Sequence, residues 1–418
     1  MVCVLSGGAF RRACITSVSL AGLLAALPAL AQAVPPLPPV STQLDEITVT
    51  ASKQPERAID ALAAVTVTSR QEIRQQQPQR LGTLISQVPG VTTQENANDP
   101  ATAINIRGLQ DFGRVAVTVD GARQNFQRSG HNANGAFFLD PAFVRSIDIT
   151  RGPVANIYGS GAIGGVVSFE TVDPKDILRP GERIAGEFGG TALFGRQGGW
   201  YGSAIGSVRA SDWAEGLIGL SYRNLGNFHD GNSSLVADSG QELKSGIGKI
   251  ALTPAEGHQI KLGGQYQSYD FANGIGTSTT PRRGNDVKTG NLFARYSFSR
   301  PENPWVNLNA SVYQTTTDTD QTRLSGTAAQ VGQHRTFKVQ TTGFDISNTT
   351  KFDFDGPRLA MTYGGDYFQD QVNTRDNEPA GSSDKFTPTG QRKVSGAFMQ
   401  GRLTWAMFDV IGALRYDR

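Results

Sequence analysis

Four histidines and two cysteines hold most of this sequence's capacity for metal or nucleophile chemistry. His131 stands in Ser129-Gly130-His131-Asn132-Ala133-Asn134-Gly135, with Phe126, Phe137 and Phe138 nearby in sequence. A neutral imidazole is a good axial ligand for iron, and neighbouring aromatic rings can pack against a flat apolar ligand. The same residues also fit an exposed loop histidine that binds nothing. His229, His258 and His334 are scattered and make no metal-ligand spacing. No nucleophile–base constellation is legible, so an enzyme is the least supported class. Gly159-Ser160-Gly161-Ala162-Ile163-Gly164 fits G-x-G-x-x-G. A dinucleotide fingerprint must follow a strand and open a helix, whereas this one leads into Val166-Val167-Ser168-Phe169, which reads as a strand. Its glycines suit tight backbone turns instead.

Both cysteines, Cys3 and Cys14, fall in a segment with the layout of a secretory signal. Arg11 and Arg12 form a positive end, residues 13–30 are apolar and small, and Ala31-Gln32-Ala33 is an A-x-A cleavage site. A mature chain starting near Val34 has no cysteine, hence no disulfide and no thiol chemistry. Beyond the signal no run is long enough for a transmembrane helix, so a membrane-spanning form must be a barrel. The formal net charge of +2 gives no electrostatic footprint for nucleic acid. With 49 glycines, 21 phenylalanines and only 38% hydrophobic residues, the composition suits a β-rich chain whose small residues face a wet interior.

Residues 34–44 include Pro35-Pro36 and Pro38-Pro39 and read as an extended tether. Asp45-Glu46-Ile47-Thr48-Val49-Thr50 follows, β-branched and strand-prone, fit for capture by a partner's sheet edge or for service as the first strand of the next domain. Residues 61–171 read as one α+β domain. Val65 to Thr68 is a strand, and Ser69 with Glu72 is a capping box opening a helix. Leu81, Leu84, Ile85 and Val88 predict a second helix stopped by Pro89-Gly90. Strands are expected over 103–107, 115–119 and 144–150, with a turn at Asp120-Gly121. The stretch 122–139 lacks periodicity and is long for a loop, which marks it as functional or mobile.

After about residue 181 the texture becomes period-2. Ile260, Leu262 and Tyr266 share one face while Lys261, Gln265 and Gln267 share the other. Leu292, Ala294, Tyr296 and Phe298 alternate with Asn291, Arg295, Ser297 and Ser299, and Met399, Leu403 and Trp405 with Gln400, Arg402 and Thr404. A soluble sandwich also alternates, but its strands run to about 5–6 residues, whereas tilted membrane strands need roughly 9–11 or more. The tally is about eleven long strands. Alternation persists to the last residue, so the expectation is an N-terminal fragment with no closing strand, since bacterial single-chain barrels have an even strand number.

Several of these segments resemble TonB-dependent outer-membrane receptors. Asp45-Glu46-Ile47-Thr48-Val49-Thr50 is similar to a TonB box. Ile104-Asn105-Ile106-Arg107-Gly108, Val119-Asp120-Gly121, Arg151-Gly152-Pro153, Ile157-Tyr158-Gly159 and Gly164-Gly165-Val166-Val167 resemble the plug motifs, in order, across 45–175. The barrel half resembles the family in texture only. The resemblance implies an α+β plug domain followed by an antiparallel transmembrane β-barrel, incomplete, with about half of roughly 22 strands. It divides the chain into a signal peptide (1–33), a Pro-rich linker with the box (34–55), a plug (56–178) and the N-terminal part of a barrel (179–418).

Within the family, the segment 165–178 and the loop 121–141 are most similar to the haem and haemoglobin receptor branch. There a plug histidine ligates haem iron, and the matching position is His131. The branch's second ligand and its F-R-A-P-type motif lie in a barrel region beyond residue 418. The implied function is TonB-dependent import of haem, free or from haemoproteins, across the bacterial outer membrane, with haem as cargo and not as a resident cofactor. The implied partners are TonB with its inner-membrane energising complex, haem or haemoproteins, and outer-membrane lipid. A monomer is expected, and no nucleic acid. A ferric-siderophore receptor of the same design is the alternative, with Arg123 and Arg128 at the plug apex as ligand contacts. A passive porin or adhesin barrel leaves the box and plug unexplained.

Overall fold

The computed structural model describes residues 47–48, 56–58, 61, 63–96, 98–110, 113–125, 136–159, 161–274, 281–376 and 389–418. The signal-like segment 1–33, the proline-rich stretch and the loop 126–135 lie outside the described residues.

The chain's first strands, β1 (Ile47–Thr48) and β2 (Glu56–Arg57), pair antiparallel, Ile47 opposite Arg57 and Thr48 opposite Glu56. β3 (Ala64–Thr68) then leads into helix α1 (Arg70–Gln76). The capping box forms as the sequence predicts: the Ser69 amide donates to the Glu72 carboxylate at 2.7 Å, and Ser69 Oγ accepts from the Glu72 amide. Helix α2 (Leu81–Ile85) is shorter than its periodicity predicts. Pro89 disfavours helical backbone at Val88, and the chain leaves through a turn in which the Val88 amide donates to the Ile85 carbonyl. All four periodic residues are nevertheless buried.

β4 (Val91–Asn96), β5 (Asp99–Ile106) and β6 (Leu109–Gln110) form a three-stranded sheet, of which the sequence analysis missed β4. Its Thr-Thr-Gln-Glu-Asn run has no apolar alternation to read. β7 (Val115–Val119), β8 (Ala122–Arg123), β9 (Val144–Arg151), helix α3 (Ala155–Tyr158) and β10 (Gly165–Thr171) complete this part. The main sheet runs β3-β9-β10-β7-β8, with β10 parallel to β7 and the remaining pairs antiparallel. One face of each sheet closes with α2 on a core of Leu84, Ile85, Ile106, Ile147, Val167 and Phe169.

Eleven antiparallel strands in sequence order follow. They are β11 (Ile184–Leu193), β12 (Gln197–Ser211), β13 (Ala214–Phe228), β14 (Gln241–Leu252), β15 (His258–Asn273), β16 (Arg283–Ser299), β17 (Asn307–Arg323), β18 (His334–Asp353), β19 (Arg358–Asp376), β20 (Gly390–Trp405) and β21 (Phe408–Asp417). Lengths of 10 to 20 residues match membrane strands and exceed those of a sandwich. Among the described residues β11 and β21 are not paired with each other.

Connections alternate in length. At one end they span 212–213, 253–257, 300–306, 354–357 and 406–407. At the other they span 194–196, 229–240, 274–282, 324–333 and 377–389. Short periplasmic turns and longer extracellular loops give the orientation. Ile218, Leu220, Leu262, Tyr266, Leu292, Val312, Met399 and Leu403 are exposed on the outer face, and Trp213, Trp305, Phe354, Trp405 and Phe408 ring its short-turn end. That is an apolar band with an aromatic girdle. The inner face carries Gln265, Gln267, Asn285, Asn291, Thr319 and Gln321, buried beneath the N-terminal domain. The N-terminal domain therefore packs against the polar face of this wall.

Candidate functional site: the seam between plug and wall

The plug meets the wall in two tiers. The upper tier, near the long loops, holds the roots of segment 126–135. On one side Asn125 Nδ2 donates to Asp370 Oδ1 of β19 at 3.0 Å. Asp370 also accepts from Thr341 Oγ1 at 2.7 Å and from Arg392 Nη2 at 2.6 Å. On the other side Phe137 and Thr102 exchange backbone hydrogen bonds of 2.9 and 3.0 Å. Ala136 and Phe138 then pack with Ala103 against Leu243, Tyr269, Phe271, Val287 and Val339 of the wall. Both ends of the segment that carries His131 are thus fixed to well-packed structure. His131 itself lies outside the described residues.

The lower tier, toward the short turns, is ionic. Asp120 and Gly121 form the β7–β8 turn, both with left-handed backbone (φ 49° and 76°). This turn aims the Asp120 carboxylate at Thr171, whose amide donates at 3.1 Å and whose hydroxyl also donates. Lys249 Nζ of β14 donates to Asp120 Oδ1 at 3.1 Å, Asp173 Oδ1 at 3.1 Å and the Thr171 carbonyl at 2.9 Å. Lys261 of β15 donates to the other Asp173 oxygen. Arg295 of β16 grips Glu170 through two hydrogen bonds of 3.1 Å, the bidentate arrangement that guanidinium and carboxylate favour. Arg145 Nε lies 3.7 Å from Asp176.

Cations and carboxylates therefore balance at this seam, Arg145, Lys249, Lys261 and Arg295 against Asp120, Glu170, Asp173 and Asp176. Burial pushes the Glu170 carboxyl up, but Arg295's charge and hydrogen bonds, with Lys249 and Arg145 beyond, outweigh it and hold it at about 2. Burial opposes the Asp173 charge too, and Lys249 and Lys261 hold that carboxyl well below the usual range. Burial lowers the Arg145 guanidinium, and Glu170, Asp176, Asp173 and Asp120 raise it by more.

Beside the ionic tier lies a cavity of about 400 Å³, lined by Thr118, Tyr158, Ser168 and Glu170 of the plug and by Lys261, Ser311, Ser347 and Asp366 of the wall among others. Its lining is hydroxyl-rich and charge-balanced, which suits water. Nearby Arg415 of β21 pairs with Asp366 at 2.8 Å and donates to the Ile157 carbonyl. Among the described residues no group of His, Cys, Asp and Glu is arranged to hold a metal ion.

The other residues named from sequence divide as follows. Ile47 and Thr48 form β1, while Asp45, Glu46, Val49 and Thr50 lie outside the described residues. Arg123 of β8 lies against the wall. The two-residue turn at Asp120-Gly121 folds β8 back along β7, and Arg123 enters the seam. There it donates to the Tyr158 carbonyl and lies 5.0 Å from the Phe368 ring centre. Arg128 lies outside the described residues. Asp120 is legible from sequence only as a turn residue, and Lys249 and Asp173 carry no local mark of an ion pair. Inward-facing lysines in a membrane strand were the available signal.

Residues 57–166 match the family model described as TonB-dependent Receptor Plug Domain. The chain is 26% identical over 383 residues to the "Hemin receptor" of Yersinia pestis, covering 89% of this chain and 54% of that protein. It is 23% identical over 388 residues to "TonB-dependent heme receptor A" of Haemophilus influenzae, covering 84% and 52%. Among solved structures, the Serratia marcescens hemophore receptor HasR, in complex with its hemophore HasA and heme, superposes with a TM-score of 0.75 at 24% identity, covering 85% of this chain and 52% of that one. The alcaligin receptor FauA of Bordetella pertussis gives 0.68 at 17%, covering 89% and 58%. The chain spans about half the length of these relatives. Plug match, relatives and sheet topology agree: residues 57–166 are a TonB-dependent receptor plug domain, followed by an eleven-stranded antiparallel sheet like the barrel wall of such receptors.

Proposed function

We propose that this chain is the plug-bearing half of a receptor that imports haem, free or taken from haemoproteins, by TonB-dependent active transport. The observation that carries the reading is similarity over 89% of the chain to a hemin receptor. The upper tier supports it, because both roots of the segment holding His131 are tied to plug and wall beneath the long loops. In this reading His131 supplies an axial imidazole to the haem iron. TonB takes the strand at 45–50 onto its own sheet edge and pulls. Haem must bind the seated and the displaced plug with different affinity, or nothing is signalled to the periplasmic side. The chain acts as a transporter and has no enzymatic role.

Siderophore transport uses the same architecture, as the likeness to the alcaligin receptor illustrates, so the fold does not choose the ligand. The deciding experiment is a haem titration of the receptor with a closed barrel, followed by Soret absorbance, with His131→Ala alongside. A Soret shift present in the wild type and altered or lost in the variant supports the reading. Tight binding of a ferric siderophore with no haem spectrum would replace it.

A further inference from the structure

Below the upper tier the inner wall is laid out in rows across β16 to β19, set by strand register. Asn291, Thr315, Thr341 and Asp370 stand side by side, and Asp370 holds Asn125. Two residues nearer the short turns, roughly 7 Å along each strand, come Phe293, Tyr313, Gly343 and Phe368. The three rings are buried, and Tyr313 covers Gly343, where a Cβ would collide with its ring. They form an aromatic sill. Beneath it Ser311, Ser297, Asn309 and Ser347, then Ser299 and Asn307, floor the cavity of about 400 Å³ down to the short-turn rim. Ser347 Oγ is buried and, among the described residues, has no hydrogen-bond partner. A buried hydroxyl without a protein partner calls for water or a polar cargo.

What separates this cavity from the upper tier is β8. Ala122 packs on Phe293 and Tyr313, the Arg123 guanidinium lies over Phe368, and Thr315 Oγ1 donates to the Arg123 carbonyl at 3.2 Å. Arg123 also donates to the Tyr158 carbonyl, and both residues line the cavity. β8 is two residues long, lies at the edge of the plug's main sheet and pairs with β7 alone. Lifting it breaks one short ladder and leaves the rest of that sheet intact. Two residues on, Asn125 ties it to the upper tier, so movement of that tie reaches the sill directly. On the β12–β14 side the seam is closed differently, by Phe143, Val172, Ile205, Leu217 and Ile247 and by the buried Lys249 pairs.

We propose that β8 is the gate of the transport route, and that this cavity is the compartment through which cargo passes to the short-turn rim. With β8 seated, Ala122 and Arg123 close the sill. With Asn125 drawn off Asp370, β8 rises and cargo crosses the sill, while the core of the plug stays in place. The cavity's volume falls within the range of small-molecule sites, roughly 300–1,000 Å³. A floor of hydroxyls and amides can hold a cargo weakly enough to let it leave, as passage requires. The proposal rests on the transport reading and not on the choice of haem as cargo.

The test ties β8 to the sill in the closed-barrel receptor, in cells. Ala122→Cys/Thr315→Cys joins β8 to β17 by a disulfide in the oxidising periplasm. Ser207→Cys/Pro174→Cys joins the plug to β12 on the other side, where Ser207 Oγ lies 3.5 Å from the Pro174 carbonyl. Uptake should be lost with the first tie, return in the same cells when that tie is reduced, and persist with the second. Ser347→Trp, which fills the compartment, should lose uptake while the cells still bind cargo. Loss of uptake with the second tie overturns the proposal, by requiring the plug to leave as one body. Uptake that survives the first tie or Ser347→Trp overturns it, as does a first pair that fails to join under oxidation. Each assay is run with haem and with a ferric siderophore. If only the siderophore is taken up and the first tie blocks it, the route stands and the haem reading falls. A wild type that takes up neither removes the transport reading and the route together.

Discussion

Lys249 Nζ stands 3.1 Å from Asp120 Oδ1 and 3.1 Å from Asp173 Oδ1, so one wall cation is shared by the β7–β8 turn and by the segment that leaves the plug. All three side chains are almost fully buried. Removing one partner of a buried ion pair leaves uncompensated charge and costs about 3–5 kcal/mol. Lys249→Ala should loosen the plug by that order while leaving the wall intact. Limited proteolysis of the plug against denaturant reads this directly, and a plug as resistant as wild type would remove Lys249 from the seat.

The seam should also be acid-labile. Glu170 is held at about 2, against an ordinary 4.5, and Asp173 is depressed as well. A carboxylate whose folded value is depressed contributes stability above its unfolded value and loses it as pH falls through the folded one. The contribution is therefore complete at neutral pH and drains away from about pH 4.5 down to about pH 2. Denaturant midpoints of the plug at pH 7, 4.5 and 3 should fall in that order. Arg295→Gln should lower the neutral-pH value and flatten the acid slope.

Gly121→Ala tests the turn. Its φ of 76° is left-handed, and a Cβ there would stand 2.9 Å from Arg295 Nη2. Backbone strain alone costs about 1–2 kcal/mol, and Arg295 must also shift on Glu170. The expected result is a plug loosened by at least that amount, with part of its acid sensitivity lost. Unchanged midpoints at both pH values would show that Arg295 accommodates the methyl group.

The paired strand at the N-terminus gives a separable phenotype. Proline at Ile47 cannot donate from its backbone nitrogen and disfavours the extended pairing of β1 with β2 or with a partner. On the proposed capture of residues 45–50 by TonB, Ile47→Pro should abolish haem uptake by cells and leave equilibrium haem binding within about twofold. Binding and uptake lost together would place the box in the binding site.

Much of this was legible in the residues. Ser69 and Glu72 named a helix start because capping is local chemistry. The alternation of Leu292, Ala294, Tyr296 and Phe298 gave β16 and its outward face because period 2 has one solution in a sheet. β4 was missed because polar Thr, Gln and Asn residues show no such period. Lys261 was visibly inward-facing, yet nothing local tied it to Asp173, 88 residues earlier. Ion pairs across the seam join segments whose proximity exists only once the wall surrounds the plug, so composition shows the charges and conceals the pairing. The role of His131 rests on resemblance, since a lone histidine in a glycine-bearing loop looks the same with a ligand or without one.

Every wall strand pairs with its neighbour in sequence, whereas the plug's seat joins residues 129 apart for Lys249–Asp120 and 245 apart for Asn125–Asp370. Closing a hairpin costs little chain entropy, and long-range contacts cannot be rewarded until distant strands exist. The wall can therefore zip up hairpin by hairpin during insertion, while the plug must wait for β14 to β19 before it has anything to dock on. Assembly is ordered by connectivity, and the last joint to form is also the one whose partners share no strand register, so it can be undone without unzipping the sheet.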